Sequence, residues 1–348
     1  SNIGASEIEV GVYGDTVRVA PLFTETWFFT NHVEGYSGTL MGGNSIWGSR
    51  AVFCGGHDGT TRVTTMDYIS IPTLGDATDF GDLTVAREHA AGEGDGSRGI
   101  TAGGRDVPGG TEDTIDYFTI KTLSNATDFG ETTEGRLLVC ACSDANRMVA
   151  GGGHTGPAFT GTIDYLTIQS LGDATDYGEL SLDRLGAGST GDGSRGMYGG
   201  GEHPTDNNSD LIDYITIGVL GNAIDWGGEL TVGRRRPMAT SDGSRAVFGG
   251  GYTNSPSIVY FDTLDYVNIG IPGTDATDFG NLTVGVWMIS PSSNGSRGVF
   301  GGGSAPGESP DTIDTIQYIT IATIGNATDF GELSEARYGA FATAPSGD

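Results

Sequence analysis

The sequence predicts an all-β fold, a six-bladed β-propeller of four-stranded blades, because three different markers recur six times with a common spacing. The markers are a Gly-Ser-Arg-like turn, an Asp-Tyr pair whose sixth copy is altered to Gln317-Tyr318, and an Ala-Thr-Asp-Phe-Gly segment with close variants. The turn arginines are Arg50, Arg98, Arg147, Arg195, Arg245 and Arg297. Units of this length with four short strands each hide their sheet faces against one another in a closed ring.

The repeats divide the chain into an amino-terminal segment, six blades and a closing strand. The blades are expected at about 41–86, 87–135, 136–183, 184–233, 234–286 and 287–336. Residues 337–348 match the start of another repeat and stop at its hairpin turn, so they should supply the innermost strand of blade one. Such closure joins the two ends of the propeller domain, residues 41–348, and pairs the spare edge of blade one.

One unit, read in the second repeat, gives four strands. Residues 88–93 are mostly small, as the strand nearest a crowded axis requires, and Asp95-Gly96 forms a two-residue hairpin turn after them. The second strand ends in Gly-Gly, which permits close backbone approach. Residues 114–120 alternate with period two and form the third strand. In the fourth, Phe129 should pack between blades and Asp128 should bind backbone in a turn.

Residues 1–40 lie outside the repeat. Residues 8–19 alternate around Gly14-Asp15, which predicts a β-hairpin, and an apolar segment follows it. A lone hairpin is marginally stable, so this segment should attach to the propeller or to a partner chain through Trp27, Phe28 and Phe29.

Composition narrows the classes of function. The chain has 45 acidic and 17 basic residues and a formal charge of -28, a surface that repels phosphate backbones, so nucleic-acid binding is not expected. An acidic surface suits solubility at high ionic strength, and it leaves Ca²⁺ open as a bound ion.

Neither a signal peptide nor a membrane span is expected from the sequence. Cys54, Cys140 and Cys142 predict free thiols and assembly in a reducing cytoplasm.

The repeat resembles the Kelch family over residues 41–345: a Gly-Gly doublet follows the second strand, a tyrosine stands in the third, an aromatic in the fourth, and an arginine opens the next unit. The opening arginines are Arg87, Arg136, Arg184, Arg234 and Arg337, and Val286 takes this position before blade six. The aromatic comes later than the usual Kelch tryptophan, so the type is divergent. The phrases IDYITI and GNATDFGEL are also similar to repeats in virion proteins of marine and cyanobacterial phages. This likeness implies a virion location after assembly in the host cytoplasm.

Variation within the repeat indicates where binding occurs. The segment between the second and third strands changes in length and chemistry from blade to blade, and all six copies should emerge on one face. Variable loops on a constant scaffold commonly carry recognition, although unconstrained drift is the alternative. The candidate binding residues are His57, Asp58, Arg105, Asp106, His154, Glu202, His203, Tyr252 and Asn254.

A catalytic site is not expected at this face. Kelch-like propellers include copper radical oxidases, whose pattern needs a Cys-Tyr crosslink, a second tyrosine and two histidines. His57, His154 and His203 follow the doublets of blades one, three and four, and blades one and four lie opposite each other, which disfavours one metal site. The sequence therefore predicts no catalytic residue, metal-ligating residue or cofactor, with Ca²⁺ alone left open as a bound ion.

The favoured function is that of a non-enzymatic virion structural or appendage protein, which binds another virion protein or a host surface glycan. Two other classes stay open: a carbohydrate-active or copper-oxidase-like enzyme on the same scaffold, and a cellular protein-interaction propeller. Homo-oligomerisation is also left open.

Overall fold

The computed structural model describes residues 10–13, 16–19 and 48–343, the last range without 206–207, 255–256 and 307–310. The chain divides into two units, 1–42 and 43–348. In the first unit, β1 (Val10–Tyr13) and β2 (Thr16–Val19) pair antiparallel as a hairpin. Trp27, Phe28 and Phe29 lie outside the described residues, so their role in attachment stays a prediction. Among the described residues, no helix has the length and apolarity to cross a bilayer.

The second unit is a ring of six four-stranded antiparallel sheets, which confirms the predicted fold. Blade one contains β3 (Arg50–Cys54), β4 (Thr65–Ser70) and β5 (Thr78–Asp82), and blade two contains β6 (Ala91–Gly94), β7 (Arg98–Ala102), β8 (Thr114–Thr119) and β9 (Thr127–Glu131). Blade three contains β10 (Cys140–Ser143), β11 (Arg147–Gly151), β12 (Thr162–Thr167) and β13 (Thr175–Glu179), and blade four contains β14 (Gly188–Gly191), β15 (Arg195–Gly199), β16 (Leu211–Thr216) and β17 (Ile224–Glu229).

Blade five carries an additional two-stranded hairpin in the loop between its second and third strands. Its sheet contains β18 (Met238–Ser241), β19 (Arg245–Gly249), β22 (Thr263–Asn268) and β23 (Thr277–Asn281), and the hairpin is β20 (Tyr252–Thr253) with β21 (Val259–Tyr260). Blade six contains β24 (Ser290–Ser293), β25 (Arg297–Gly301), β26 (Thr315–Thr320) and β27 (Thr328–Glu332).

The carboxy-terminal strand closes the ring, as the sequence predicts. β28 (Phe341–Ala342) pairs antiparallel with β3 and so becomes the innermost strand of blade one, with Phe341 opposite Cys54 and Ala342 opposite Phe53. Phe341 is buried in the core between blades one and two. Every blade therefore has four strands although blade one is built from both ends of the domain.

The opening arginines are buried inside the blades, where each pairs with the aspartate of an Asp-Tyr marker. The pairs are Arg87–Asp116, Arg136–Asp164, Arg184–Asp213, Arg234–Asp265 and Arg337–Asp67. A threonine or serine from the connection between blades bonds the same carboxylate, as Thr84 does with Asp116 at 2.5 Å. The cluster thus ties the third strand of a blade to the connection that enters it.

The turn arginines link neighbouring blades. The Arg98 guanidinium lies 4.6 Å from the ring centre of Tyr117 in its own blade, and it donates a 2.8 Å hydrogen bond to the Ile168 carbonyl of the next blade. All six turn arginines make both contacts, and the carbonyl acceptors are Ile120, Ile168, Ile217, Ile269, Ile321 and Ile71. The last of these bonds joins blade six to blade one.

The fourth-strand marker differs from expectation in one respect. Phe129 is buried between blades as predicted, but Asp128 is exposed and the expectation that it binds backbone in a turn is wrong. That bond is made three residues earlier, where Asn125 Oδ1 accepts from the Asp82 N–H of the preceding blade at 3.1 Å. Position 128 points outward because the strand alternates and Phe129 must face the core.

Two faces of the ring follow from the antiparallel order of the strands. The hairpin turns after the first and third strands emerge on one side, which we call the turn face. The loops between second and third strands, and the connections between blades, emerge on the other side, the loop face. The Gly-Gly doublets stand at its edge, and a Cβ at Gly55 would lie 2.4 Å from the Arg87 carbonyl oxygen, so the close approach expected there occurs.

Candidate functional site

The loop face is built from three concentric sets of equivalent residues, defined by their distance along the chain from the fixed markers. The first ring stands two residues after each opening position and contains Gly339, His89, Leu138, Gly186, Arg236 and Met288. The second ring stands one residue after it and contains Tyr338, Glu88, Leu137, Leu185, Arg235 and Trp287. The third ring follows each Gly-Gly doublet and contains His57, Arg105, His154, Glu202, Tyr252 and Ser304.

The second and third rings are held together by the backbone. Each second-ring residue forms an antiparallel bridge with the third-ring residue of its own blade, for example Arg235 with Tyr252 and Trp287 with Ser304. The backbone positions therefore repeat around the axis, and what distinguishes one sector of the face from another is the identity of the side chains.

The first ring closes the central channel at the loop face. All six residues have positive φ, between 51° and 63°, including the non-glycine residues His89, Leu138, Arg236 and Met288. Backbone hydrogen bonds link successive blades here, such as Leu138 N–H to the His89 carbonyl at 2.8 Å. Glycine stands at position 186 because a Cβ there would lie 2.8 Å from Arg236 Cγ. The first ring is therefore crowded at the axis, and only four of its six positions carry a side chain.

An aromatic row crosses the face from blade five to blade one. The Tyr252 and Trp287 rings lie 4.8 Å apart, and Trp287 is stacked with Tyr338 at 6.3 Å and an interplanar angle of 14°. Tyr338 in turn stacks on His57 at 5.1 Å. Tyr260, from the additional hairpin, lies 6.3 Å from Tyr252 and extends the row outward. These side chains are only partly buried, so the row is accessible from solvent.

The arginines that serve neither as opening nor as turn arginines gather on the same face. Eleven arginines serve as opening or turn arginines, and the other basic residues in the described part of the propeller are Arg62, Arg105, Arg235, Arg236 and Lys121. The four arginines of this set lie on the loop face, whereas Lys121 stands in a hairpin turn on the turn face. In a chain of charge -28 this is a marked local excess of guanidinium groups.

Two carboxylates on the loop face are already occupied by arginines. Glu88 is buried and contacts Arg62 at 2.8 Å, with Arg105 at 4.0 Å. Glu202 contacts Arg235 at 2.7 Å, and the Arg235 guanidinium also lies 5.5 Å from the Tyr252 ring centre. Each pair joins neighbouring blades and fixes one side of the face.

The three predicted histidines at the doublets shape their loops. Nδ1 of His57 accepts a 3.0 Å bond from the Gly59 N–H, and Nδ1 of His154 does the same with Gly156. His203 receives the Thr205 N–H at 3.3 Å. Because Nδ1 is the acceptor, the neutral ring carries its proton on Nε2. These contacts are local turn capping in three separate loops.

The remaining predicted residues have mixed environments. Asp58 Oδ1 accepts backbone N–H groups of Thr60 and Thr61, and the latter bond is the main cause of its lowered pKa. Asp106 Oδ1 is buried without a hydrogen-bond partner in the described region, and Asn254 is exposed. The structure brings all nine predicted residues to the loop face, but only His57 and Tyr252 belong to the aromatic row.

Behind the first ring lies the central channel, a cavity of about 130 Å³ lined by the innermost strands. Its wall is mostly alanine, glycine, serine and threonine, and Glu93 is the one carboxyl group among the lining residues. Ser143 Oγ donates a 3.0 Å bond to Glu93. Enclosure by the strands raises the pKa of Glu93 to about 7, although the Ser143 bond opposes this shift.

The cysteines are free and buried. Cys142 Sγ lies 3.5 Å from Tyr198 Oη between blades three and four, and burial raises the pKa of both groups, so thiol and phenol stay protonated at neutral pH. The predicted free thiols are confirmed. No cluster of three His, Cys, Asp or Glu side chains arranged to hold a metal was found in the parts of the chain that the structure describes.

Sequence reasoning missed Trp287, Tyr338, Arg235 and Arg236, which are central to the face. The comparison of the repeats singles out the loops after the doublets. The two positions after each opening residue vary just as strongly from blade to blade, and that variation is a signal present in the sequence. Comparison with known proteins finds no family model and no curated protein that matches this chain.

Proposed function

We propose that this chain is a non-enzymatic recognition protein, a divergent Kelch-like propeller of a virion, whose loop face binds a glycan. The observation that carries the proposal is the aromatic row of Tyr252, Trp287, Tyr338 and His57. Aromatic faces carry partial negative charge and offer a flat apolar surface, whereas one face of a pyranose ring presents C–H groups of partial positive charge. Stacking between the two is favourable in water and requires little ordering of the protein.

The surroundings of the row support recognition of a polar ligand. Donor groups from Arg235 and Arg236 lie beside the aromatic rings, with guanidinium carbons 5.1 to 5.9 Å from ring centres. Sites that combine aromatic walls with a few fixed polar groups are typical of small-molecule and oligosaccharide recognition. The row is set on a closed ring, so its spacing is fixed before the ligand arrives, which lowers the entropy cost of binding.

The virion setting rests on the resemblance of the repeat phrases to phage structural proteins, and it has its own test. Mass spectrometry and cryo-electron microscopy of purified virions should find the chain at a fixed site. Its absence from particles would remove the virion setting and leave the glycan proposal standing.

Glycan binding is tested by screening the full chain on an array of oligosaccharides, followed by titration of each hit. Trp287→Leu and Tyr338→Leu should each weaken binding by about tenfold or more, since buried aromatic contacts dominate such interfaces. Leu220→Ala, an exposed change on the turn face, is the matched control and should bind as the unaltered chain does. Thermal melting of each variant verifies folding. If no glycan binds, or if hits are insensitive to both aromatic variants, the proposal is wrong and the loop face is better assigned to a protein partner.

A further inference from the structure

The most unusual residue of the loop face is Arg236, the last of three consecutive arginines with three different environments. Arg234 is fully buried and pairs with Asp265 at 2.9 Å. Arg235 pairs with Glu202 at 2.7 Å. Arg236 has no carboxylate partner among the described residues, and the contact at its Nη1 is the Met288 sulfur at 3.8 Å.

The position of Arg236 makes the lack of an anion costly. Its side chain lies over the channel mouth, with the guanidinium carbon 5.1 Å from the centre of Trp287 and 5.9 Å from Tyr252. Burial lowers the pKa of this arginine, whereas Tyr252 and Glu202 oppose the shift. Arg236 is only partly accessible to water, and a guanidinium that loses hydration without gaining a counter-ion is unfavourable, whereas the neighbouring carboxylates, Glu88 and Glu202, already pair with Arg62 and Arg235.

The backbone at Arg236 adds a second observation. The residue has φ of 51°, a left-handed conformation that glycine adopts without strain, and glycine does stand at the equivalent positions 186 and 339. A long charged side chain is therefore held here against the local backbone preference. Trp287 Nε1, in the same sector, is buried without a hydrogen-bond acceptor among the described residues, and so is Nε of Arg236 itself. Two unpaired donors therefore lie in one sector of the face.

We infer that the glycan bound at the aromatic row is acidic, and that Arg236 binds the carboxylate of a uronic or sialic acid residue at the axis of the loop face. The inference rests on the proposed function. A planar guanidinium matches a planar carboxylate through two parallel hydrogen bonds, and the Trp287 face beside it would hold the adjoining sugar ring. The uncharged aromatic row would stack on the sugar rings, and Arg236 would make binding selective for acidic over neutral sugars.

The experiment titrates the full chain with pairs of oligosaccharides that differ only in one group, such as glucuronic acid against glucose, or a sialylated chain against its asialo form. The unaltered chain should bind the acidic member at least tenfold more tightly. Arg236→Gln and Arg236→Gly should remove this preference while neutral binding persists, and the glycine variant also relieves the backbone strain, so it should melt no lower than the unaltered chain. Lys121→Gln, an equal change of charge on the turn face, should keep the preference.

The outcomes separate the two claims. Equal binding of acidic and neutral partners overturns the role of Arg236 and leaves glycan recognition intact. Failure of every glycan to bind overturns the proposed function itself. An acidic preference that survives in both Arg236 variants assigns the selectivity to another residue, and equally tight binding of a DNA oligonucleotide shows unspecific attraction of anions; either result refutes the inference.

Discussion

At the scale of single residues, the ion pairs within the blades explain an irregularity that is visible in the sequence. Blade six has Val286 where the other blades have an opening arginine, and Gln317 where they have aspartate. Both departures occur in one repeat because the two residues share one buried cluster. Gln317 keeps the role of an acceptor, since its Oε1 receives the Thr283 N–H at 2.7 Å. Loss of one charge alone would have left its partner buried and unpaired.

This interpretation predicts strong coupling between the two positions. Val286→Arg alone should lower the free energy of unfolding by about 3 kcal/mol or more, because it buries a charge without a partner. Adding Gln317→Asp should recover most of that loss by recreating the pair of the other five blades. Denaturant titration of both single variants and the double variant measures the coupling energy. A double variant as unstable as Val286→Arg would show that the apolar packing of blade six, and not charge pairing, excludes arginine.

A second residue-scale prediction concerns Glu93 in the channel. Its folded-state pKa is about 7, above the ordinary value of 4.5, so the protonated form stabilises the fold. This contribution is fully present below pH 4.5 and is lost as the pH rises through about 7, by about 3 kcal/mol at most. Glu93→Gln, which stays neutral, should therefore gain stability relative to the unaltered chain across this range. Parallel stability curves for the two proteins between pH 4.5 and 8 would contradict the raised pKa.

At the scale of strands, the sequence was sufficient to predict the blades but not the arrangement of side chains on the loop face. Strand positions and ring closure followed from spacing, since markers such as Arg98 and Tyr117 recur in every unit. The hairpin of β20 and β21 is not predictable from the repeat, because it occurs in blade five alone. The aromatic row could not be predicted either, because Tyr252, Trp287 and Tyr338 come from three different repeats and meet only around the axis.

Closure of the ring by β28 gives a prediction at this scale. Removal of residues 339–348 deletes β28, exposes the edge of β3 and leaves the cavity once filled by Phe341. The melting temperature should fall by about 10 °C or more, because a core aromatic residue alone contributes about 3–5 kcal/mol and its strand pairing is lost as well. Removal of residues 344–348 only, which retains β28, is the matched control. Equal melting of both truncated proteins would mean that β28 contributes nothing to closure.

At the scale of the whole molecule, nearly all arginines of the propeller either hold the blades together or lie on the loop face. Eleven arginines are used within or between blades, and four more lie on the loop face. The chain as a whole has 45 acidic and 17 basic residues, for a net charge of -28. The arginines of the loop face can attract an anionic group locally, while the exposed carboxylates of the chain repel other acidic molecules and the chain itself.

Repulsion among the many carboxylates should make the protein more stable as the salt concentration rises. A protein stabilised mainly by surface ion pairs would show the opposite dependence. The five pairs within the blades are buried and therefore weakly screened, whereas the exposed carboxylates repel across distances that salt shortens from about 30 Å at 0.01 M to about 10 Å at 0.1 M. Raising NaCl from about 0.01 M to about 0.5 M at pH 7 should increase the melting temperature by several degrees. Near the isoelectric point of about 4.2 the same addition should have little effect, because the net charge is close to zero. A melting temperature that falls with NaCl at pH 7 would mean that exposed ion pairs, and not repulsion, dominate the surface.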